Sequence, residues 1–165
     1  MKKARRRYPA LLLSILLVLG VLIYPVRVLE LCDVEKTEKL LLPLWGSDSF
    51  SYEFLHSVQK TPVRENFIIQ EDNRLLLVST WYYSLGVGLP FLPEEGSFIN
   101  DNGVFKLTGI DREFEYINFG LMPLAQQQIH CGKQSYSFDH YFSSGAIIRL
   151  EASTYTPWQL LVNSL

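Results

Sequence analysis

One histidine and one glutamate stand out, each on an alternating run and separated by a turn signal. The runs are Phe50-Ser51-Tyr52-Glu53-Phe54-Leu55-His56-Ser57-Val58 and Val63-Arg64-Glu65-Asn66-Phe67-Ile68-Ile69. With Gln59-Lys60-Thr61-Pro62 as the connection, an antiparallel hairpin sets His56 opposite Glu65, Phe54 opposite Phe67 and Tyr52 opposite Ile69, all on one face. An imidazole facing a carboxylate at the rim of an apolar face must be hydrogen-bonded or put to use, because an unpaired buried charge is costly. Three chemistries fit: a hydrogen bond that fixes the register, a polar binding site, and a general base oriented by its acid.

The third lacks a nucleophile. His130 and Cys131 are adjacent, so on a strand they point to opposite faces, and the chain has no GxSxG, HExxH or CxxC. No catalytic residue, metal ligand or cofactor is therefore assigned. His56, His130 and His140 lack metal-ligand spacing, and Asn100-Asp101-Asn102-Gly103 fits a hairpin turn better than a calcium loop. Gly86-Val87-Gly88 follows a strand but opens no helix, which is turn chemistry rather than a phosphate cradle. The residues expected to bind a ligand or partner are His56, Ser57, Glu65, Ser84, Gly86, Gly88 and Pro90.

Positioning them falls to strands. From Arg27 onward, short apolar or alternating runs are broken by Gly, Pro, Asn and Asp, and none keeps a helical period for three turns. Eleven strands are expected, at 28–33, 40–44, 50–58, 63–70, 75–83, 96–100, 104–108, 113–118, 127–131, 135–139 and 146–152. Tight turns are expected at Asp72-Asn73 and Asp101-Asn102-Gly103, and residues 84–96 hold too many breakers for a regular element. The fold class is all-β, a single β-sandwich or partly closed β-barrel.

Ahead of it lies a basic flank, residues 1–7 with Lys2, Lys3, Arg5, Arg6 and Arg7, then an apolar run. Roughly 17 residues of helix give about 25 Å, a little short of the ~30 Å hydrocarbon core, with Tyr8, Tyr24 and snorkelling arginines to make up the rest. This predicts an uncleaved transmembrane anchor over residues 8–26, with residues 27–165 forming the β domain outside the cell membrane. The alternative is a signal peptide, but Val18-Leu19-Gly20 is a poor cleavage site. Without the flank's five basic residues, ten remain against seventeen acidic ones, a balance of −7 that excludes a nucleic-acid footprint. Cys32 and Cys131 would share an oxidising compartment, with a disulfide and two buried thiols both open.

His56-Ser57-Val58, Thr61-Pro62-Val63, Glu65-Asn66-Phe67, Ser84, Gly86 and Gly88-Leu89-Pro90 together resemble the DUF1850 family, small bacterial proteins of undefined activity. The resemblance spans about residues 40–152 and is specific in the His-Ser-Val to Gly-Leu-Pro region; Cys131 is not part of the pattern. It implies association with TAXI-type TRAP solute transporters. The expectation is thus a non-enzymatic, membrane-anchored accessory protein whose partners are the lipid bilayer and a TAXI-type permease or solute-binding subunit. A cell-surface hydrolase using a His/Glu pair and a structural envelope protein are the alternatives.

Overall fold

The structure is a computed structural model that describes residues 7–84 and 96–163. Helix α1 (Arg7–Ile23) leads directly into β1 (Val26–Asp33), β2 (Lys39–Pro43), β3 (Ser49–Leu55), β4 (Pro62–Ile69) and β5 (Leu75–Tyr82). After the undescribed segment come β6 (Ser97–Asp101), β7 (Val104–Phe114), β8 (Tyr116–Gly120), β9 (Gln128–Cys131), β10 (Gln134–Ser137), β11 (Ile147–Tyr155) and helix α2 (Pro157–Asn163). All strand pairs are antiparallel and form two sheets, β2-β1-β11-β8 and β10-β9-β3-β4-β5-β7-β6.

The two sheets share one core rather than closing into a barrel. Leu29, Leu31, Ile148 and Leu150 of the smaller sheet meet Phe50, Tyr52, Phe67, Ile69, Leu75, Leu77 and Ile129 of the larger one, all buried. These residues lie two apart along each strand, the spacing that sends side chains to one face. The two turns fall at the expected places: Asn73 (φ 66°) lies between β4 and β5, and Asn102 (φ 52°) and Gly103 (φ 90°) join β6 to β7. Both asparagines occupy left-handed backbone, which their side chains tolerate.

A bulge interrupts β5. Its pairing with β4 skips Val78 between Asn66↔Ser79 and Phe67↔Leu77, and its pairing with β7 jumps from Leu77↔Arg112 to Ser79↔Thr108. Odd-numbered Leu75 and Leu77 therefore face the core before the bulge, and even-numbered Thr80 and Tyr82 are buried after it.

The N-terminal expectation needs correction. α1 has 17 residues and begins on Arg7, and Pro25 follows it before Val26 starts β1. No helix among the described residues is long and apolar enough to cross a membrane. The apolar run counted to Val26 was too long because Pro cannot continue a helix and Val26 belongs to the β core, 5% exposed. The transmembrane anchor, the single-pass topology, the bilayer as partner and the cell-membrane placement that rested on that span are withdrawn with it. α1 contacts α2 and leaves apolar side chains exposed, Leu13, Leu17 and Ile23 among them.

Candidate functional site

The hairpin of β3 and β4 forms in a register different from the expected one. Phe50 pairs with Phe67, Tyr52 with Glu65 and Phe54 with Val63. The turn is the reason. The backbone N–H of His56 donates to Thr61 O (2.9 Å) and that of Lys60 to His56 O (2.9 Å), with Lys60 at φ 54°. Pro62 is thereby left as the first residue of a strand, where its missing N–H costs nothing. His56 Nδ1 accepts the N–H groups of Val58 (3.3 Å) and Gln59 (3.2 Å), so the imidazole caps the turn from a buried position.

His56 and Glu65 are consequently not partners. Four residues of strand separate Glu65 from the position facing His56, roughly 13 Å. Each partner is displaced by an even number, so every inward residue stays inward. Ser57 is exposed in the turn, and Ser84 Oγ lies 2.9 Å from Thr61 Oγ1, which joins it to the same turn. Gly86, Gly88 and Pro90 lie outside the described residues.

Glu65 sits instead in an inward row that crosses five strands: Ile129, Tyr52, Glu65, Thr80 and Leu107. The other four are buried, from 0% to 9% exposed. Below it, Val63 and Tyr82 form a second small core with Phe54 and Phe105. Burial pushes the Glu65 carboxyl above the usual carboxylate range, against a smaller opposing pull from the charge of Arg112. No hydrogen bond from a described residue reaches it.

Its neighbour Tyr52 is held firmly. The ring stacks on Phe54 (5.3 Å), Phe119 (5.0 Å) and Phe138 (6.1 Å), and its hydroxyl accepts from Gln127 Nε2 at 2.8 Å. Gln127 also donates to Gly120 O (3.1 Å) and accepts from Met122 N–H (2.8 Å), so this buried amide is satisfied on both ends. Burial holds the Tyr52 hydroxyl well above the ordinary phenol range, so it stays protonated.

The opposite face of the same hairpin carries a polar stretch, Ser51, Glu53, Arg64 and Asn66, between Ile68 at one end and the Leu55–Pro62 pair at the other. Glu53 accepts from Arg64 Nε (2.8 Å) and Gln128 Nε2 (2.8 Å), with His130 Nε2 3.6 Å away. Burial alone would raise the Glu53 carboxyl, but Arg64 and Gln128 bring it below its ordinary value. Ser51 donates to Asn66 Oδ1 (2.7 Å), and Asn66 Nδ2 donates to Ser79 Oγ (3.0 Å). His130 Nδ1 lies 2.7 Å from Ser135 Oγ. A serine, a histidine and a glutamate thus stand in line, but Glu53 is already held by Arg64 and Gln128, and the row reads as a cross-strand network.

Cys32 and Cys131, considered above as a disulfide pair, are free thiols on different sheets. Burial pushes Cys131 up to about 11, leaving it an unreactive apolar group against the core. Among the described residues no group of three or more His, Cys, Asp or Glu could hold a metal ion.

The site thus belongs to a two-sheet antiparallel domain with a carboxylate, Glu65, on the inner face of its larger sheet, carried by a hairpin that a histidine caps. The chain belongs to the DUF1850 family: the model described as "Domain of unknown function (DUF1850)" matches residues 50–138, from β3 to the residue after β10, and includes His56 and Glu65. No curated protein and no solved structure matches the chain.

Proposed function

We propose that this protein is a non-catalytic binding domain whose recognition group is Glu65. The observation that carries the reading is a half-buried carboxylate set between Tyr52 and Thr80 in an otherwise buried row, without a hydrogen bond from the described residues. Such a group raises the free energy of the folded protein, and a ligand that donates to it recovers that cost. An ionised carboxylate only accepts hydrogen bonds, so the ligand presents N–H donors or a cation, and the surrounding rings favour an apolar flank. His56 caps the turn that sets the register of Glu65, which is a positioning role. The hydrolase alternative needs His56 and Glu65 in contact, and their register separates them.

Thermal unfolding with benzylammonium, butylammonium and benzoate at pH 8 tests the reading. The ammonium ions should raise the melting temperature of the native chain and leave that of Glu65→Gln unchanged; equal shifts in both proteins, or none in either, overturn it. Association with a TAXI-type TRAP system is the finer part of the proposal and rests on the family resemblance alone. Recovery of the solute-binding subunit with the tagged chain supports that part, and its absence removes it while leaving the Glu65 result untouched.

A further inference from the structure

A second site lies on the far side of the smaller sheet, away from Glu65. A groove of about 500 Å³ runs between the edge strand β2 and helix α2. Leu41, Pro43 and Trp45 line one wall, Pro157 and Leu160 the other, and Lys39 is the one charged side chain among its lining residues. That volume falls within the roughly 300–1,000 Å³ range of small-molecule sites, and an apolar trough with a single polar anchor is their usual composition.

The anchor is built. Lys39 Nζ lies 2.5 Å from Glu30 Oε1, Tyr155 OH donates to Glu30 Oε2 at 2.7 Å, and Lys39 Nζ lies 3.5 Å from Tyr155 OH. Glu30 is only 7% exposed, so it fixes Lys39 from beneath, while the lysine side chain keeps 40% of its surface open. An ammonium has three N–H donors. Glu30 and Tyr155 take two, and the third remains for a ligand oxygen. Trp45, 68% exposed, stands at the groove as a large apolar surface without burial of its own.

We propose that this groove binds a single-chain amphiphile with an anionic headgroup: the hydrocarbon chain lies between β2 and α2, and the head accepts from Lys39. The match is one of charge and shape, an acceptor-bearing head against the groove's one cation and an unbranched chain along its apolar length. The exposed apolar surface of α1 would also attract hydrocarbon, so the test must locate the ligand as well as detect it.

Isothermal titration of the whole chain with decanoate, decanol and decyltrimethylammonium, each below its aggregation concentration, serves both ends. Decanoate should bind with micromolar Kd at one site. Trp45→Ala should weaken both decanoate and decanol at least fivefold, and Lys39→Gln should weaken decanoate about tenfold while leaving decanol unchanged. Circular dichroism of both variants verifies that the β domain remains folded. Absence of decanoate binding, binding that survives both substitutions, or equal affinity for decanoate and decyltrimethylammonium overturns the proposal. Each of these results is independent of Glu65, which lies on the other sheet.

Discussion

Glu53 and Glu65 occupy the same hairpin, on adjacent strands and opposite faces, and the protein treats them in opposite ways. Glu53 is gripped by Arg64 and Gln128, and its carboxyl falls below the ordinary range. Glu65 faces Tyr52, Thr80 and apolar rings, and burial drives its carboxyl above that range. A carboxylate whose partners are all supplied by the fold is structural. One that the fold leaves at a disadvantage adds nothing to stability, and that is the ground on which recognition is proposed for it.

The largest effect should come from breaking the row that holds Glu65 in place. Tyr52→Ala removes three ring stacks and one of the two acceptors of Gln127 Nε2, and it should cost about 3–5 kcal/mol, read as a fall in the urea midpoint. Next in size is Glu53→Ala, which leaves Arg64 and Gln128 without their acceptor. It should cost about 1–2 kcal/mol at pH 7, discounted because Arg64 is partly exposed. Since the folded state depresses the Glu53 carboxyl, its contribution is complete above the unfolded value and is lost as pH falls through the folded one. The gap between native and Glu53→Ala should therefore narrow in acid.

Glu65→Gln should do the reverse, with a smaller magnitude. A raised carboxyl binds its proton more tightly in the folded state, so stability falls as pH rises from the unfolded value through the folded one. Replacing it should stabilise the free protein by about 1 kcal/mol at pH 8 and change little in acid, measured by thermal unfolding across that range. If Glu53→Ala and Glu65→Gln move stability in the same direction at pH 8, the contrast between the two faces is wrong.

The strands were legible because alternation is a local signal: each of the eleven expected runs overlaps an observed strand, and Asn102-Gly103 announced its own turn. Glu65 was legible as the one polar residue in phase with Val63, Phe67 and Ile69. Its partner was not, because the register depends on His56 Nδ1 capping two backbone N–H groups, a side-chain choice that spacing does not encode. The N-terminal run misled by composition, since an apolar count ignores that Pro25 stops the helix and that Val26 enters the core. The groove was invisible for a different reason. Leu41 and Leu160 belong to segments at opposite ends of the domain, and α2 is too short to show a helical period.

The bulge at Val78 divides β5 into two reading frames, odd residues inward before it and even residues inward after it. The extra residue works as a phase shifter: it brings Thr80 beside Glu65 and Tyr82 beside Val63, and sends Trp81 to the opposite surface, under Lys106. The leucine-rich start of the strand and the polar-aromatic end are thereby free to diverge independently. Substitutions at the β5 positions after the bulge leave the inward pattern of its leucine-rich start untouched, as long as that one residue keeps the two frames out of step.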